Sequence, residues 1–185
     1  MKELNQSRKT RYTQMVLRDS LVELMKEKPI SKITIKELCA NADINRTTFY
    51  AHYTDQYDLL RHIEEEALSW CKNMLVNFSV ESGKEERIKN LEIVFNYFSE
   101  NRNHIQVLMS EQGDIDFQKK LVTMLYEQFG MFPNENGTDL VTGELYFVFA
   151  ISGSVGLIQH WLKNGLNKSA KELAEIIYNM TLNIR

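Results

Sequence analysis

Between residues 34 and 53, hydrogen-bonding side chains are interleaved with apolar ones at short, regular spacing. Arg46 can fork two hydrogen bonds onto the O6 and N7 of a guanine. Thr47 and Thr48 can donate to a phosphate or touch a thymine methyl. Tyr50 can place its hydroxyl on a phosphate, and His52 lies on the same stretch. Thr34 and Asn45 stand where helices should begin, and a helix N-terminus attracts phosphate. Lys9, Arg11 and Lys36 add sequence-independent attraction to a polyanion. The chemistry on offer is reading of a nucleic acid, with candidate contacts Thr34, Lys36, Asn45, Arg46, Thr47, Thr48, Tyr50 and His52. The plainer reading of each is a helix cap, a packing residue or a solvated charge. For Thr34, capping and phosphate contact are compatible.

The elements that must hold these residues are legible from periodicity. Leu17, Leu21, Leu24 and Met25 share one face of a first helix, and Lys28-Pro29 ends it. Thr34-Ile-Lys-Glu37 matches a capping box and predicts a short second helix over about 35–41. Asn45 predicts the cap of a third helix, Arg46 to about His52. Between them lies the short turn Asn41-Ala42-Asp43-Ile44. This is the helix-turn-helix layout, whose second helix enters the major groove. Ile35, Leu38, Cys39, Ala42, Ile44 and Phe49 supply the apolar lock.

These residues resemble a known signature. The run from Ile33 to Leu60 is similar to the DNA-binding segment of TetR-type (TetR/AcrR) transcriptional regulators. The specific part is Thr48-Phe49-Tyr50-x-His52-Tyr53 followed by Asp58-Leu59-Leu60. The resemblance covers roughly residues 8–60, and over the remainder length and helix order match. It implies an all-α homodimer that binds a palindromic operator and carries an effector pocket and dimer interface in its C-terminal domain. Three positions depart from the family's pattern. Asp43 stands where Gly is usual, in a turn whose backbone Gly adopts easily and Asp tolerates better than most. Thr47 replaces a frequent Gly. Gln56 replaces a Lys that often contacts phosphate, which puts that contact in doubt. Farther on, Gly153-Ser-Val-Gly156 and Trp161-Leu-x-x-Gly165 resemble a subgroup that includes regulators of dihydroxyacetone kinase operons.

The rest of the 185-residue chain is also helical by pattern. Asp55 can cap a long fourth helix with Leu59, Leu60, Ile63, Ala67, Leu68, Trp70 and Cys71 inside it. A fifth follows the break at Ser82-Gly83, a sixth runs around Ile105–Met109, and a seventh spans Phe117–Phe129. Phe132 to Gly137 is a loop. An eighth helix runs from Thr138 to about Asn164, and Ser169-Ala-Lys-Glu172 opens a ninth. Tyr146–Ser152 is rich in aromatic and β-branched residues, but with no partner strand elsewhere it reads as helix. Leu145–Leu162 is free of formal charge; Ser, Gly, Gln and His within it favour a buried helix of a soluble protein over a membrane span. Glu64-Glu65-Glu66 reads as a solvated face.

The formal net charge of -3 conceals two opposed parts. Residues 1–54 hold 10 basic and 6 acidic side chains, whereas 55–185 hold 12 and 19. The boundary falls near the start of the fourth helix, with no flexible linker. The reading is a helix-turn-helix domain over 1–54 rigidly joined to a helical effector-binding and dimerisation domain over 55–185. In the second domain Phe95, Phe98, Met109, Met124, Phe149 and Trp161 are candidates for a ligand pocket, with ordinary core as the plainer reading. Gly153 and Gly156 in a long helix let another helix approach closely. With Ile176, Ile177 and Met180 they are candidates for a dimer interface, a four-helix bundle across a two-fold axis.

Other classes are disfavoured. Cys39 and Cys71 form no CxxC, so they read as inert thiols in a reducing cytoplasm. Met1–Arg11 is polar and not a signal peptide. No Ser/His/Asp set, Gly-rich phosphate loop or paired catalytic carboxylates can be placed, and His62, His104 and His160 lack ligand spacing. The expectation is a cytoplasmic, non-enzymatic regulator without metal or cofactor, more often a repressor. Its effector is a small molecule or, as the alternative, a protein partner.

Overall fold

The structure, a computed structural model, describes residues 8–75, 83–110, 116–121, 124 and 139–182. Every regular element among them is helical. They are α1 (Arg8–Glu27), α2 (Ile35–Asn41), α3 (Arg46–Tyr50), α4 (Gln56–Leu75), α5 (Lys84–Glu100), α6 (Arg102–Leu108), a helical stretch α7 at 116–121, α8 (Leu140–Lys163) and α9 (Ala170–Ile177). A 3-10 turn (Ile30–Lys32) follows Pro29, and a π turn (Tyr178–Leu182) extends α9. Most of the expected seventh helix, the loop from Phe132 to Gly137 and Ser82 lie outside the described residues.

The first three helices close around one apolar face. Leu17, Leu21 and Met25 of α1, Leu38 of α2 and Phe49 of α3 are completely buried, with Ile33 and Tyr53 beside them. Burying a side chain of this size contributes roughly 1.5–3 kcal/mol each before entropy is counted, so this small cluster is what holds the pair α2–α3 in place. Its core runs without a break into α4, through Leu59, Leu60 and Ile63. The joint is pinned by polar bonds. The Asp58 N–H donates to Asp55 Oδ1 at 2.7 Å, and the Thr54 N–H donates to Asp58 Oδ2 at 2.9 Å. The Thr54 N–H and the guanidinium of Arg61 hold the Asp58 carboxyl below its usual range.

In the C-terminal part, α9 lays one face on α5. Ala170, Leu173, Ala174 and Ile177, at i, i+3, i+4 and i+7, are buried there with Phe95 and Phe98. Phe95 meets Trp161 of α8 edge-on at 6.2 Å, and the Trp161 indole N–H donates to the Lys168 carbonyl at 2.7 Å. The C-terminal end of α6 is tied down by Gln118 and Gln159, whose amides both donate to the Met109 carbonyl at 2.7 and 2.8 Å. Cys39 and Cys71 are free and buried. Burial raises both thiols, Cys71 to about 12, so neither supplies a thiolate at neutral pH.

Four expectations need correction. The eighth helix is not a buried one: of its long apolar window, only 17% is buried within the chain. By length and composition it could cross a membrane. Its apolar residues run nearly all round, so while Phe147, Ala150, Ile158, Trp161 and Leu162 face inward, Val141, Leu145, Tyr146, Val148 and Phe149 face out. Phe149, a pocket candidate, is 67% exposed for that reason. Ile177, an interface candidate, belongs to the inward face of α9 and is spent on the core, while Ile176 and Met180 lie on the exposed face. Glu64 is no part of a solvated face either. It is fully buried on the inner side of α4, with Lys120 Nζ at 3.9 Å, whereas Glu65 and Glu66 are exposed.

Candidate nucleic-acid interface

Local chemistry sets each end of α2 and α3. The Glu37 N–H donates to Thr34 Oγ1 at 3.2 Å, and the Thr48 N–H donates to Asn45 Oδ1 at 2.7 Å. Both residues cap as their types and positions predict. The reciprocal half of the first capping box does not form. Glu37 instead accepts from Lys28 Nζ at 2.5 Å, a bond that lowers its pKa and ties the end of α1 to α2. Asp43, in the turn, has φ of 52°, the left-handed conformation for which Gly is favoured. The turn closes through the Ile44 N–H, which donates to the Cys39 carbonyl at 2.9 Å.

The result is a helix of five residues that is apolar on one side only. Phe49 is completely buried and Tyr53 nearly so, while Arg46, Thr47 and Tyr50 are exposed and Thr48 is half-buried. Tyr50 is 57% exposed and rests edge-on against Phe49 at 5.5 Å, so its ring direction is set while its hydroxyl reaches water. His52 is half-buried and lies past the C-terminus of α3, beside Tyr53 at 6.3 Å between ring centroids. Tyr53 is braced from the other side by His62 of α4, edge-on at 5.4 Å. Lys36, Asp43, Asn45 and Arg46 share an open concavity of about 530 Å³ between α2 and α3. Thr34 sits at the start of α2, exposed. The arrangement presents one guanidinium, hydroxyls and an ammonium on one exposed side, with the Phe49 and Tyr53 rings packed behind. That set can bond to phosphates and base edges; among the described residues no group of three or more potential metal ligands forms.

The other candidate sites are scattered. Phe95, Phe98, Met109 and Trp161 are buried together in the C-terminal core, with Met124 partly buried against it. Gly153 and Gly156 lie on the exposed side of α8, where a Cβ would meet nothing within 4 Å. Two features escaped the sequence pattern. Asp139 caps α8, accepting from the N–H groups of Val141 and Thr142 at 3.1 Å. Asp-x-x-Thr was a usable cap signal there. Glu64 had none, since a run of three glutamates does not say which faces inward.

An all-α chain with a capped helix-turn-helix at one end and a larger helical unit at the other is the architecture of a helix-turn-helix transcription factor. Comparison with known proteins agrees. Residues 85–183 match a TetR-type family model described as "Transcriptional regulator C-terminal region". A TetR transcriptional regulator from Streptococcus agalactiae 2603V is similar over 94% of this chain and 96% of its own, with 20% identity and a TM-score of 0.62. NalD, the secondary repressor of the MexAB-OprM multidrug efflux pump in Pseudomonas aeruginosa, is 14% identical over 96% of this chain and 97% of its own, with a TM-score of 0.64. The dihydroxyacetone kinase operon activator DhaS is 19% identical over 92% and 94%, with a TM-score of 0.54. At these identities the structures attest to the fold. A search of curated protein sequences finds no match. The family model spans more than half of the chain, and the chain belongs to the TetR family of transcriptional regulators.

Proposed function

We propose that this regulator binds a palindromic DNA operator as a homodimer, represses transcription there, and is released by an effector acting on its C-terminal domain. The observation that carries the reading is α3, with Phe49 buried, backed by Tyr53 just past its end, and Arg46, Thr47 and Tyr50 exposed. Arg46 and Thr47 are assigned to base edges. Thr34, Lys36, Thr48, Tyr50 and His52 are assigned to phosphates, and Asn45 to holding α3 at the angle at which it enters the groove. Residues 1–54 form the DNA-binding domain and 55–185 the effector and dimerisation domain. The charge asymmetry supports this division, because the basic part then faces phosphate and the acidic part turns away.

The dimer contact is the outward face of α8 with the outer face of α9. Val141, Leu145, Val148 and Phe149 make an exposed apolar stripe, continued by Gly153 and Gly156; Ile176 of α9 and Met180 just past it are exposed as well. A second copy would cover it by helix packing across a two-fold axis. Each glycine costs its helix roughly 1 kcal/mol relative to alanine. Nothing inside the chain needs the space, so the need for it comes from outside. Such a dimer sets two recognition helices roughly 34–36 Å apart or somewhat more. An effector that prefers a different separation shifts the population away from operator spacing. The buried aromatic cluster around Phe95, Phe98, Met109 and Trp161 is where a small apolar effector would insert. The protein acts in the cytoplasm.

Selection of bound sequences from random duplex DNA tests the proposal. Enrichment of one palindrome, with affinity falling steeply as salt rises, is the expected outcome. An unenriched pool, or binding indifferent to salt, overturns it.

A further inference from the structure

Two neighbouring charges on α1 reach across to two other helices. Arg18 pairs with Glu66 of α4, and Asp19 Oδ1 lies 3.2 Å from His104 Nε2 of α6. α1 packs on α2, and α6 lies within the stretch that matches the family's C-terminal region. The two helices pack directly on one another, with Ile105 and Leu108 buried. Asp19 and His104 therefore form a polar bridge over the seam between the two units.

We propose that this bridge is a proton-operated latch between the DNA-reading unit and the effector unit, closed while the His104 imidazole is neutral and opened when it is charged. At 3.2 Å, a neutral imidazole with its hydrogen on Nε2 donates one bond to the Asp19 carboxylate. The His104 side chain retains 28% of its exposure and that of Asp19 58%, so closing the seam strips water mainly from the imidazole. A second proton there costs hydration that a single, largely solvated carboxylate does not restore. The charged groups that bear on His104 are Asp19 and Arg18 from α1 and Glu66 from α4. Arg102, on the same helix, is turned to α8 and donates to the Leu162 carbonyl at 2.8 Å. Arg18 and Glu66, paired with each other, act on it in opposite directions. That leaves burial against the attraction of Asp19, and burial is the larger: it holds the imidazole below its ordinary value. A depressed value in the closed seam means that the open seam binds the proton more tightly. The latch is therefore whole above about pH 6.5 and loosens as the pH falls below it. Opening frees α1–α3 to tilt about the joint at Thr54, Asp55 and Asp58, the consequence that rests on the DNA-binding reading.

Amide hydrogen exchange on the full chain, at about pH 7.5 and about pH 5.5 and corrected for the intrinsic rate, tests the latch. Acidification should lower the protection of α6 and of α1 around Asp19 more in the native protein than in His104→Gln, by up to about tenfold. The glutamine amide keeps a donor near the Nε2 position and cannot take up a proton. An equal response in the two proteins overturns the proposal. Asp19→Asn removes the attraction that favours the proton in the closed seam, so its loss of protection should begin near the same pH but run deeper as the pH falls further; a shallower loss overturns the proposal as well. Neither measurement uses DNA. A failed latch is thus distinguished from a failed operator assignment, which the selection experiment judges separately.

Discussion

Asp43 carries the least comfortable backbone of the DNA-binding unit. Its φ of 52° is one that costs an L-residue roughly 1–2 kcal/mol in a helix of that hand, and aspartate somewhat less. Asp43 also shares with Lys36 and Arg46 the concavity proposed to face phosphate. Asp43→Gly relieves both penalties. It should raise the unfolding free energy, read from the urea transition, by up to about 1 kcal/mol and tighten DNA binding, whereas Asp43→Val should lower stability. Arg46 is the opposite case, an exposed side chain whose proposed partner is a base edge. Arg46→Ala should leave thermal stability within about 0.5 kcal/mol. It should cost about 1–3 kcal/mol of operator affinity and relax preference at one base pair, as competition with single-site operator variants would measure. Loss of affinity without loss of preference would move Arg46 from base to phosphate.

Caps show where pattern and structure agree and where they part. Thr34-x-x-Glu37 and Ser169-x-x-Glu172 are the same motif. The second forms completely: the Glu172 N–H donates to Ser169 Oγ at 3.2 Å, and the Ser169 N–H donates to Glu172 Oε2 at 2.8 Å. The first forms by half, because Lys28, nine residues upstream, takes the Glu37 carboxylate. Local spacing thus predicts where both helices start, and only the fold decides what the glutamate bonds to. The same division runs through the elements as a whole. Amphipathic helices such as α1 and α9 declare their inner face, and α3 declared both its lock, Phe49, and its exposed Arg46. α8 is apolar on nearly every side, so periodicity could not tell that Phe149 faces out. Ile176 and Ile177 are adjacent and alike, and a rotation of one residue sends one to the core and the other to solvent. Glu172 also makes a pH prediction. Its bonds to Lys168 and Ser169 lower its pKa from 4.5 to about 2. A lowered carboxylate stabilises the fold fully above its unfolded value, and that contribution is lost as the pH falls toward the folded one. Glu172→Gln, which retains a capping amide, should melt lower than the native protein above about pH 5 and converge with it near pH 2. A constant gap in melting temperature across that range would show that the charge is idle.

At the scale of the molecule, the face of α8 and the reading of DNA are one question. A five-residue recognition helix touches only a few base pairs, and a single copy offers too few contacts for specific binding. In the proposed dimer, two copies held rigidly would raise the effective concentration of the second half-site, so operator affinity should depend on the dimer contact far more than nonspecific affinity does. Phe149→Glu tests this, because the side chain is 67% exposed and its removal opens no cavity in the chain. A carboxylate there would be desolvated opposite its own copy across the two-fold axis, costing several kcal/mol of association. Sedimentation should show the native protein as a dimer and the variant as a folded monomer with unchanged helicity. Gly156→Leu should act the same way by bulk, although it improves helix propensity within the chain. Binding to the palindrome should fall by two orders of magnitude or more, about 3 kcal/mol, while binding to unrelated duplex at low salt changes little. If both variants remain dimeric, α8 is not the contact and the glycines need another explanation. If they become monomeric yet keep full operator affinity, each copy reads DNA alone, and the palindrome, the spacing and release by a change of separation all fall together.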